Sequence, residues 1–333
     1  MMIADSTVEN NIVNPRVSVL MISYNHENFI AQAIDSVLIQ KTQFPLELVI
    51  GEDCSTDKTR EIIEEYQQKY PEIVKLLPSD KRYGPNQNFV RVYQACRGEY
   101  IATLEGDDYW IDDGKLQMQA DLLDKHPEMS ACFHHVKQLT MSDNELTDFW
   151  PKEQYGDVTV IDLLNNYRFH TTALMFRKSI FNNDLPALLL NCKNLDYPLY
   201  LSLADKSTLG YIDKSMSVYR IHNSGIWTSL SLIDRNTESI HTFEQIDNAL
   251  NGKYHKQIIA DINKCKAVVC VENGRKFKAL FYEIISLMSC NRKYLVRRNN
   301  HYKAILYIFR QMIPQSLLTI LLKVKLRLKL KLY

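Results

Sequence analysis

The chain of 333 residues has few of the features that mark large classes of protein. It has no uninterrupted run of about 18 apolar residues, the length that a bilayer-spanning helix requires. Its seven cysteines are odd in number and include no C-x-x-C pair, so a zinc or redox site of that kind is excluded and a reducing compartment is indicated. Internal repeats and low-complexity linkers are also absent from the sequence. With 46% hydrophobic and 24% charged residues, the composition is that of an ordinary globular protein.

The first residues do not have the pattern of a secretory signal. Residues 1–14 contain Asp5 and Glu9 but no Lys or Arg, and they have no apolar core of the kind that such signals need. We therefore expect a flexible N-terminal extension over residues 1–14 and a cytoplasmic protein.

The C-terminal tail, residues 291–333, has no acidic residue. It contains eleven Lys or Arg, and because the whole chain carries +1, the preceding 290 residues carry −10. A basic segment rich in leucine is attracted to an anionic membrane, by roughly 1 kcal/mol per basic residue near the surface. The alternation of residues 323–332 has period two and does not form one helix face, so a basic strand, a frayed end or a nucleic-acid patch are alternatives. The leucine-rich last part, residues 317–332, contains no aromatic residue, so no nucleic acid is expected. Removal of residues 315–333 should release the protein from anionic vesicles.

Apolar runs alternate with amphipathic stretches over the first 125 residues. Strands are predicted at residues 17–23, 46–50, 73–77 and 100–104, and helices at 29–40, 58–70, 86–96 and 115–125. Ser55 or Thr56 is expected to cap the second helix. The alternation predicts an α/β fold, with a mostly parallel sheet and helices on both faces. Ligands of such sheets bind beyond the carboxyl ends of the strands.

The pattern is more mixed beyond residue 110. Residues 131–136 and 172–177 are strand-like, and a helix is predicted from Asp196. A long helical pattern runs from Leu232 to about Leu287, with a break at Gly252. The sequence thus predicts one α/β domain over residues 15–230 and a helical C-terminal region, residues 231–333, that ends in the basic tail.

The fourth predicted strand ends in three carboxylates, Glu105, Asp107 and Asp108, around Gly106. Carboxylates this close repel one another unless a cation neutralises them. Hard oxygen ligands suit Mg²⁺ or Mn²⁺, which commonly contact substrate phosphates as well. The alternative is an acidic turn that caps the next helix. The first interpretation predicts a metal-assisted reaction on a phosphorylated substrate.

Four segments together resemble an inverting glycosyltransferase of family two with the A-type nucleotide-sugar fold. They are residues 17–25, which end in Ser-Tyr-Asn, residues 52–57 (EDCSTD), residues 98–102 (GEYIA) and residues 105–110 (EGDDYW). The resemblance covers residues 15–228 and implies a Rossmann-like sheet, a nucleotide-sugar donor and Mn²⁺ or Mg²⁺. A UDP-sugar is favoured because it is common in the family. The implied acceptor is a glycan or a lipid-linked polysaccharide precursor, which would place the enzyme at the inner face of the cell membrane.

The resemblance also implies donor-binding residues. Those that would hold the base and ribose are Ser23, Tyr24, Asn25, Glu27 and Asp53, although Tyr24 could instead be a packed aromatic residue. Asn88 lies in a segment similar to the donor-side loop of the family, in which Gln87 replaces an arginine. The missing positive charge could come from Lys81, Arg82 or Arg91.

The E-G-D-D segment resembles the D-x-D element of the family, with Glu105 in place of the first aspartate. Asp107 is then the principal metal ligand, and Glu105 reaches the metal directly, through water, or contacts the ribose. Gly106 is implied to belong to the donor-binding residues as well. Residues 219–227 resemble the closing Y-R-x-H loop. There His222 is implied to complete the metal site or to contact the diphosphate, and Arg220 to neutralise phosphate charge.

Asp196 is the implied general base. Its segment, residues 194–199, resembles the acceptor-side motif, in which a carboxylate takes the proton of the acceptor hydroxyl. The alternative is an acid at a helix N-terminus stabilised by the helix dipole. His134, His135 and His170 stay unassigned, although residues 170–172 are a plausible acceptor-side wall.

Two other functions compete with this interpretation. A sugar nucleotidyltransferase would need a glycine-rich loop with Lys or Arg after the first strand, and residues 23–26 contain neither. A non-catalytic protein that binds a membrane surface or nucleic acid through its basic tail would bind no metal or nucleotide. Fold alone does not decide between an enzyme and such a protein.

Overall fold

The computed structural model describes residues 14–149, 157–164, 170–182, 184–222, 225, 229–289, 303–305 and 307–308. The chain divides into two compact units. The first unit consists of Met1–Val158, Phe169–Pro186 and Leu203–Ile221, and the second consists of Thr159–Arg168, Ala187–Ser202 and His222–Tyr333. Two segments that precede residue 230 thus group with the C-terminal helices, so the boundary at residue 230 stays a prediction. Residues 1–13 of the expected N-terminal extension and residues 309–333 of the tail lie outside the described residues.

The first unit begins with a parallel sheet. Its strands are β1 (Val17–Ser23), β2 (Leu46–Glu52), β3 (Val74–Leu76) and β4 (Tyr100–Glu105), in the order β3-β2-β1-β4. They are connected by α1 (Ile30–Leu38), α2 (Thr59–Lys69) and α3 (Pro85–Ala95). The predicted alternation of strands and helices is confirmed. The strands are apolar on both sides because helices cover parallel sheets.

The rest of the first unit extends this sheet in mixed orientation. It adds β5 (Tyr109–Trp110), α4 (Lys115–Lys125), β6 (Ala131–Thr140), β7 (Glu145–Asp148), β8 (Met175–Arg177) and β9 (Leu209–Ile221). The order continues β4-β8-β6-β9-β5, and β8 is antiparallel to both β4 and β6. The strand expected at residues 172–177 is shorter, because Thr171–Ala173 form a 3₁₀ turn before it.

The cap expected for the second helix is wrong. Helix α2 begins at Thr59, and the Oδ1 of Asp57 accepts the hydrogen bond of the Thr59 backbone N–H at 3.0 Å. Ser55 does not cap the helix because its Oγ accepts a hydrogen bond from the backbone N–H of Asn25 instead, at 2.9 Å.

The second unit is helical. Its helices are α5 (Val160–Leu164), α6 (Leu188–Asn191), the first part of α7 (Asp196–Lys206), α8 (Leu232–Ala249), α9 (His255–Glu272) and α10 (Lys276–Ser289). The predicted helical region is therefore confirmed, but it has a second break. Gly252 and Gly274 both have a φ of +70°, the left-handed conformation that ends helices and that glycine adopts without strain. None of the helices in the described ranges is long and apolar enough to cross a membrane.

A buried lysine lies under the mixed part of the sheet. Lys115, in the first turn of α4, is fully buried, and its Nζ donates a hydrogen bond to Gln119 Oε1 at 2.7 Å and lies 3.9 Å from the centre of the Trp110 ring. Burial lowers the pKa of Lys115 to about 7. Burial also raises the pKa of the neighbouring Cys132 thiol to about 12 and holds the pKa of His134 well below its usual range. Lys115 is therefore the group of this cluster that titrates between pH 7 and 10.

We expect Lys115→Met to change how stability depends on pH. Between pH 7 and 10 the unfolded wild type binds more protons at this lysine than the folded protein does, so its free energy of unfolding gains a contribution that rises with pH. The variant lacks this contribution. Its free energy of unfolding relative to wild type should therefore fall as pH rises, by up to about 1.4 kcal/mol per pH unit. Urea unfolding between pH 7 and 10 measures the difference.

Lys125→Met is the matched control, because Lys125 lies at the exposed end of the same helix. Its stability difference from wild type should not change over the same pH range. If the two variants behave alike, Lys115 does not titrate in the folded protein as stated.

Candidate functional site

The loops that follow β1 and β2 are held together by reciprocal hydrogen bonds. Asn25, at a left-handed φ of 55°, receives a hydrogen bond on its Oδ1 from the Thr56 backbone N–H at 2.8 Å. The Glu27 N–H donates to Asp57 Oδ2, and Glu27 Oε2 accepts from the Lys58 N–H, both at 3.1 Å. Asn25 and Glu27 thus join the two loops, and their role in nucleotide binding stays a prediction.

Asp53 organises a third loop. This buried carboxylate accepts hydrogen bonds from the backbone N–H groups of Tyr83 at 2.6 Å and Gly84 at 2.9 Å. The Nε of Arg82 is 3.9 Å from Asp53 Oδ2, and its guanidinium lies 3.8 Å from the centre of the Tyr24 ring. Two predicted donor-binding residues, Tyr24 and Asp53, are therefore neighbours, with an exposed arginine beside both.

Asn88 is buried and fixes the backbone at the end of β2. Its Nδ2 donates to the Gly51 carbonyl at 2.6 Å, and its Oδ1 accepts from Arg91 at 2.7 Å. Arg91 also bonds to the carbonyl of Pro78. Lys81, Arg82 and Arg91 were the candidates for the positive charge that Gln87 lacks. Arg91 is hydrogen-bonded to Asn88 and to the Pro78 carbonyl, whereas Arg82 lies against the Tyr24 ring.

The E-G-D-D turn follows β4, and Asp108 is its buried centre. Asp108 Oδ1 accepts a hydrogen bond from the Arg220 backbone N–H at 2.8 Å. Its Oδ2 is buried and has no hydrogen-bond partner among the described residues, although His170 Nδ1 is 3.6 Å away. Burial and the charges of Asp107 and Glu105 raise the pKa of Asp108 well above its usual range. A cation at this turn would relieve that repulsion.

Three side chains near the turn could ligate a metal ion. Glu105, Asp108 and His170 each offer one ligand atom, and these atoms lie within 4.8 Å of one another. Burial lowers the pKa of His170 to about 4, so its imidazole is neutral, the form that binds metals. The ring stacks on Tyr219 with centroids 4.1 Å apart. Oxygen and imidazole ligands suit Mn²⁺.

Sequence reasoning included Asp108 in the acidic cluster but named neither Asp108 nor His170 as a metal ligand. His170 is close because β8 pairs antiparallel with β4, with Met175 opposite Ala102, so the residues before β8 lie beside the end of β4. That pairing has no local sequence signal.

Asp107, the predicted principal ligand, faces the loop after β1. Its Oδ2 is 3.6 Å from His26 Nε2, and His26 Nδ1 is 3.2 Å from Ser23 Oγ. The guanidinium of Arg220 donates to the backbone carbonyl of Asp107 and to the side chain of Gln32. Ser23, Asp107 and Arg220 therefore lie around one turn, and their individual roles stay predictions.

Asp196 and His222 belong to the second unit. Asp196 is the first residue of α7, and Asn194 Oδ1 accepts the hydrogen bond of its backbone N–H at 3.0 Å. Burial raises the pKa of Asp196 to about 6, which suits a base at neutral pH. His222 follows the last residue of β9, and its carbonyl accepts a hydrogen bond from the Gly225 N–H at 3.3 Å.

The parallel sheet and the acidic turn at its carboxyl edge define an α/β protein with an acidic cluster at the strand ends. Residues 18–185 match the profile of Glycosyl transferase family 2, and the chain belongs to this family. A solved structure, S. aureus TarS 1–349 in complex with UDP-GlcNAc, shares the A-type fold. It aligns with a TM-score of 0.60 and 17% identity over 90% of this chain and 93% of that chain.

Two relatives are similar in sequence. An uncharacterised protein of Mycobacterium tuberculosis is 37% identical over 213 residues, which cover 64% of this chain and 61% of the relative. Chondroitin synthase of Escherichia coli is 23% identical over 258 residues, which cover 76% of this chain and 36% of the synthase. The chain thus spans less than two thirds of the length of both relatives.

Gly106 is expected to be essential for the shape of the turn. A Cβ at this position would lie 2.7 Å from Ser23 Oγ and 2.9 Å from His26 Nδ1, closer than packed atoms come. We expect Gly106→Ala to push the turn away from β1 and to weaken binding of Mn²⁺ at least about tenfold, since displaced ligands bind metals poorly. Titration with Mn²⁺, followed by the loss of the electron paramagnetic resonance signal of the free ion, measures the effect.

Gly114→Ala is the control for this substitution. A Cβ at Gly114 would be no closer than 3.4 Å to any neighbouring side chain, so Mn²⁺ binding should not change. Equal binding by both variants would contradict the close packing of the turn against β1.

Proposed function

We propose that this chain is a metal-dependent, inverting glycosyltransferase that moves a sugar from a nucleotide diphosphate sugar, preferably a UDP-sugar, to a hydroxyl group. Family membership supports the class of reaction. The observation that carries the proposal is the cluster of Glu105, Asp108 and His170 at the strand ends, where nucleotide ligands of such sheets bind.

The donor set fits a divalent ion. Asp108 has a buried carboxylate oxygen without a hydrogen-bond partner among the described residues, and burial together with the neighbouring carboxylates raises its pKa. Asp107 is the ligand that the resemblance implies, and Glu105 belongs to both possible ligand sets. The cluster of Glu105, Asp108 and His170 supplies His170 as the imidazole ligand. The resemblance to the family's Y-R-x-H loop implies His222 instead. A bound ion would stabilise the charge that develops on the departing nucleoside diphosphate.

The nucleotide would bind against the loops after β1 and β2. We assign the base to the pair formed by the Tyr24 ring and the Arg82 guanidinium, because flat surfaces of this kind stack on bases. Arg82 is also proposed to supply the positive charge for the diphosphate, because Gln87 stands where the family often has an arginine. Ser23 and Asp53 shape the loops around this place.

Asp196 is proposed as the general base. In an inverting transfer its carboxylate takes the proton of the acceptor hydroxyl while the hydroxyl oxygen attacks the anomeric carbon opposite the diphosphate. A pKa of about 6 leaves Asp196 ionised at neutral pH and still basic enough to accept that proton.

The acceptor is proposed to be a glycan or a lipid-linked polysaccharide precursor. The similarity to E. coli chondroitin synthase supports a polysaccharide product. The basic tail, residues 291–333, supports peripheral attachment to the inner face of the cell membrane, where a lipid-linked acceptor would be available.

We expect one nucleotide among UDP, GDP, TDP and CMP to raise the melting temperature in the presence of Mn²⁺, because a ligand that binds only the folded state stabilises it. UDP is the expected nucleotide. The shift should disappear in Asp107→Ala and in Asp108→Asn. His170→Ala should lower Mn²⁺ affinity about tenfold or more, if its imidazole is a direct ligand.

His222→Ala is the matched comparison for the histidine ligand. If His222→Ala weakens Mn²⁺ binding and His170→Ala does not, the ligand set implied by the resemblance is correct. Absence of any shift with all four nucleotides in the wild type would contradict the proposed donor class and favour a non-catalytic surface protein.

The pH dependence of transfer tests Asp196. Because the base must be ionised, kcat/KM should fall tenfold per pH unit below the pKa of about 6 and should level off above it. Asp196→Asn should lower kcat by at least about 100-fold with little change in UDP binding. Asp205→Asn, near the other end of α7, is the control. A profile that levels off near pH 4 would contradict the raised pKa of Asp196, and an unchanged kcat in Asp196→Asn would show that another group is the base.

A further inference from the structure

Helix α10 fully buries only small or polar side chains, while its Leu280 and Tyr282 are partly buried. The side that faces the rest of the second unit carries Ala279, Glu283 and Ser286, all buried, and Ser286 Oγ donates to the Ala260 carbonyl of α9. A helix on the surface of a globular protein normally buries its large apolar residues instead.

The large apolar side chains of α10 lie on the opposite side, exposed. We call this set the α10 stripe. It consists of Phe277, Phe281, Ile284 and Met288, which are 80%, 60%, 43% and 76% exposed. At about 100° per residue, these four positions fall within roughly 60° of the helix circumference. Such a continuous row is more than the scattered exposed apolar residues of ordinary surfaces, and it marks an interaction site.

The charge around the stripe restricts its partner. Residues 274–333 contain fourteen Lys or Arg and a single acid, Glu283, which is buried. Arg275 and Lys278 are exposed beside the stripe. A second copy of this chain would bring two strongly basic regions together, which like-charge repulsion opposes. An anionic partner is therefore required.

We propose that the α10 stripe docks on an anionic membrane surface. A row of Phe, Ile and Met with flanking Lys and Arg is the composition of helices that lie in the membrane interface, with apolar side chains among the acyl chains and basic ones at the headgroups. The row lies on the convex outer side of one helix, so it suits a flat surface. This site is separate from the basic tail and stands independently of the proposed transferase reaction.

Vesicle sedimentation with the full-length protein tests the site. The stripe variant is Phe277→Ser/Phe281→Ser/Met288→Ser, and its control is Ile39→Ser/Leu146→Ser/Leu232→Ser, at positions that are 55%, 55% and 49% exposed elsewhere. On vesicles of phosphatidylcholine with phosphatidylserine, the stripe variant should bind at least about tenfold more weakly than wild type, because buried apolar area sets interfacial affinity. The control should stay within about twofold. Circular dichroism and the melting temperature should show that all three proteins fold.

High salt separates the stripe from the tail. At about 1 M salt the Debye length is about 3 Å, so attraction between exposed charges is screened while apolar contact persists. The release expected from the sequence on removal of residues 315–333 should therefore be incomplete: this variant and wild type should retain weak binding that the stripe variant lacks. Amide exchange of residues 276–289 should slow on the anionic vesicles, and much less with phosphatidylcholine alone, where only the apolar contact acts.

Three outcomes would overturn the proposal. The first is equal vesicle binding by the stripe variant and wild type. The second is vesicle binding without slower amide exchange in residues 276–289. The third is a change of oligomeric state in the stripe variant without vesicles. The last would mean that a second copy covers the stripe. The Mn²⁺ and nucleotide shifts of the same variants, measured without vesicles, test the transferase separately.

Discussion

The repulsion among three carboxylates at the end of β4 is the constraint on which the first unit depends. Asp108 is buried, with Asp107 and Glu105 close enough to raise its pKa. A buried charge of this kind costs several kcal/mol unless it is bonded or paired. The Arg220 backbone N–H stabilises Asp108 in part by donating a hydrogen bond to it. The remaining negative charge of the cluster must be neutralised by a bound cation or by a proton.

Arg220 connects this turn to β9, the strand that pairs with β5. Its backbone N–H binds Asp108, its guanidinium binds the Asp107 carbonyl, and the same guanidinium lies 4.3 Å from the centre of the Tyr109 ring. Burial lowers the pKa of Arg220, although not enough to remove its charge. A single buried arginine thus supplies the shape of the turn and part of its charge balance. Functions that need the turn therefore also need β9 to be in register.

The sequence predicts the local part of this arrangement well. The four parallel strands, the helices between them and the E-G-D-D turn all follow from hydrophobic periodicity and from polar residues at strand ends, which are properties of neighbouring residues. His170 could not be placed because its proximity to Asp108 arises from the antiparallel pairing of β8 with β4, which joins residues far apart in the chain. The break at Gly274 is also local: residues 272–276 are all polar and contain the turn dipeptide Asn273-Gly274, a signal that the prediction of one long helical pattern did not use.

The motif residues also show why residue type alone does not reveal a role. Asn25, Asp53 and Asn88 were chosen as donor-binding residues, and each bonds to the backbone of a neighbouring loop or strand. Buried backbone groups in loops need hydrogen-bond partners, and polar side chains supply them. Any ligand that binds these loops therefore depends on such side chains for the shape of its site, even without touching them. The same residues would therefore recur in a family whether or not they contact the nucleotide. Substitutions at these positions change loop shape and binding together, so the residues that contact the ligand are better sought among neighbours such as Arg82, whose side chain lies over Tyr24 and is largely exposed.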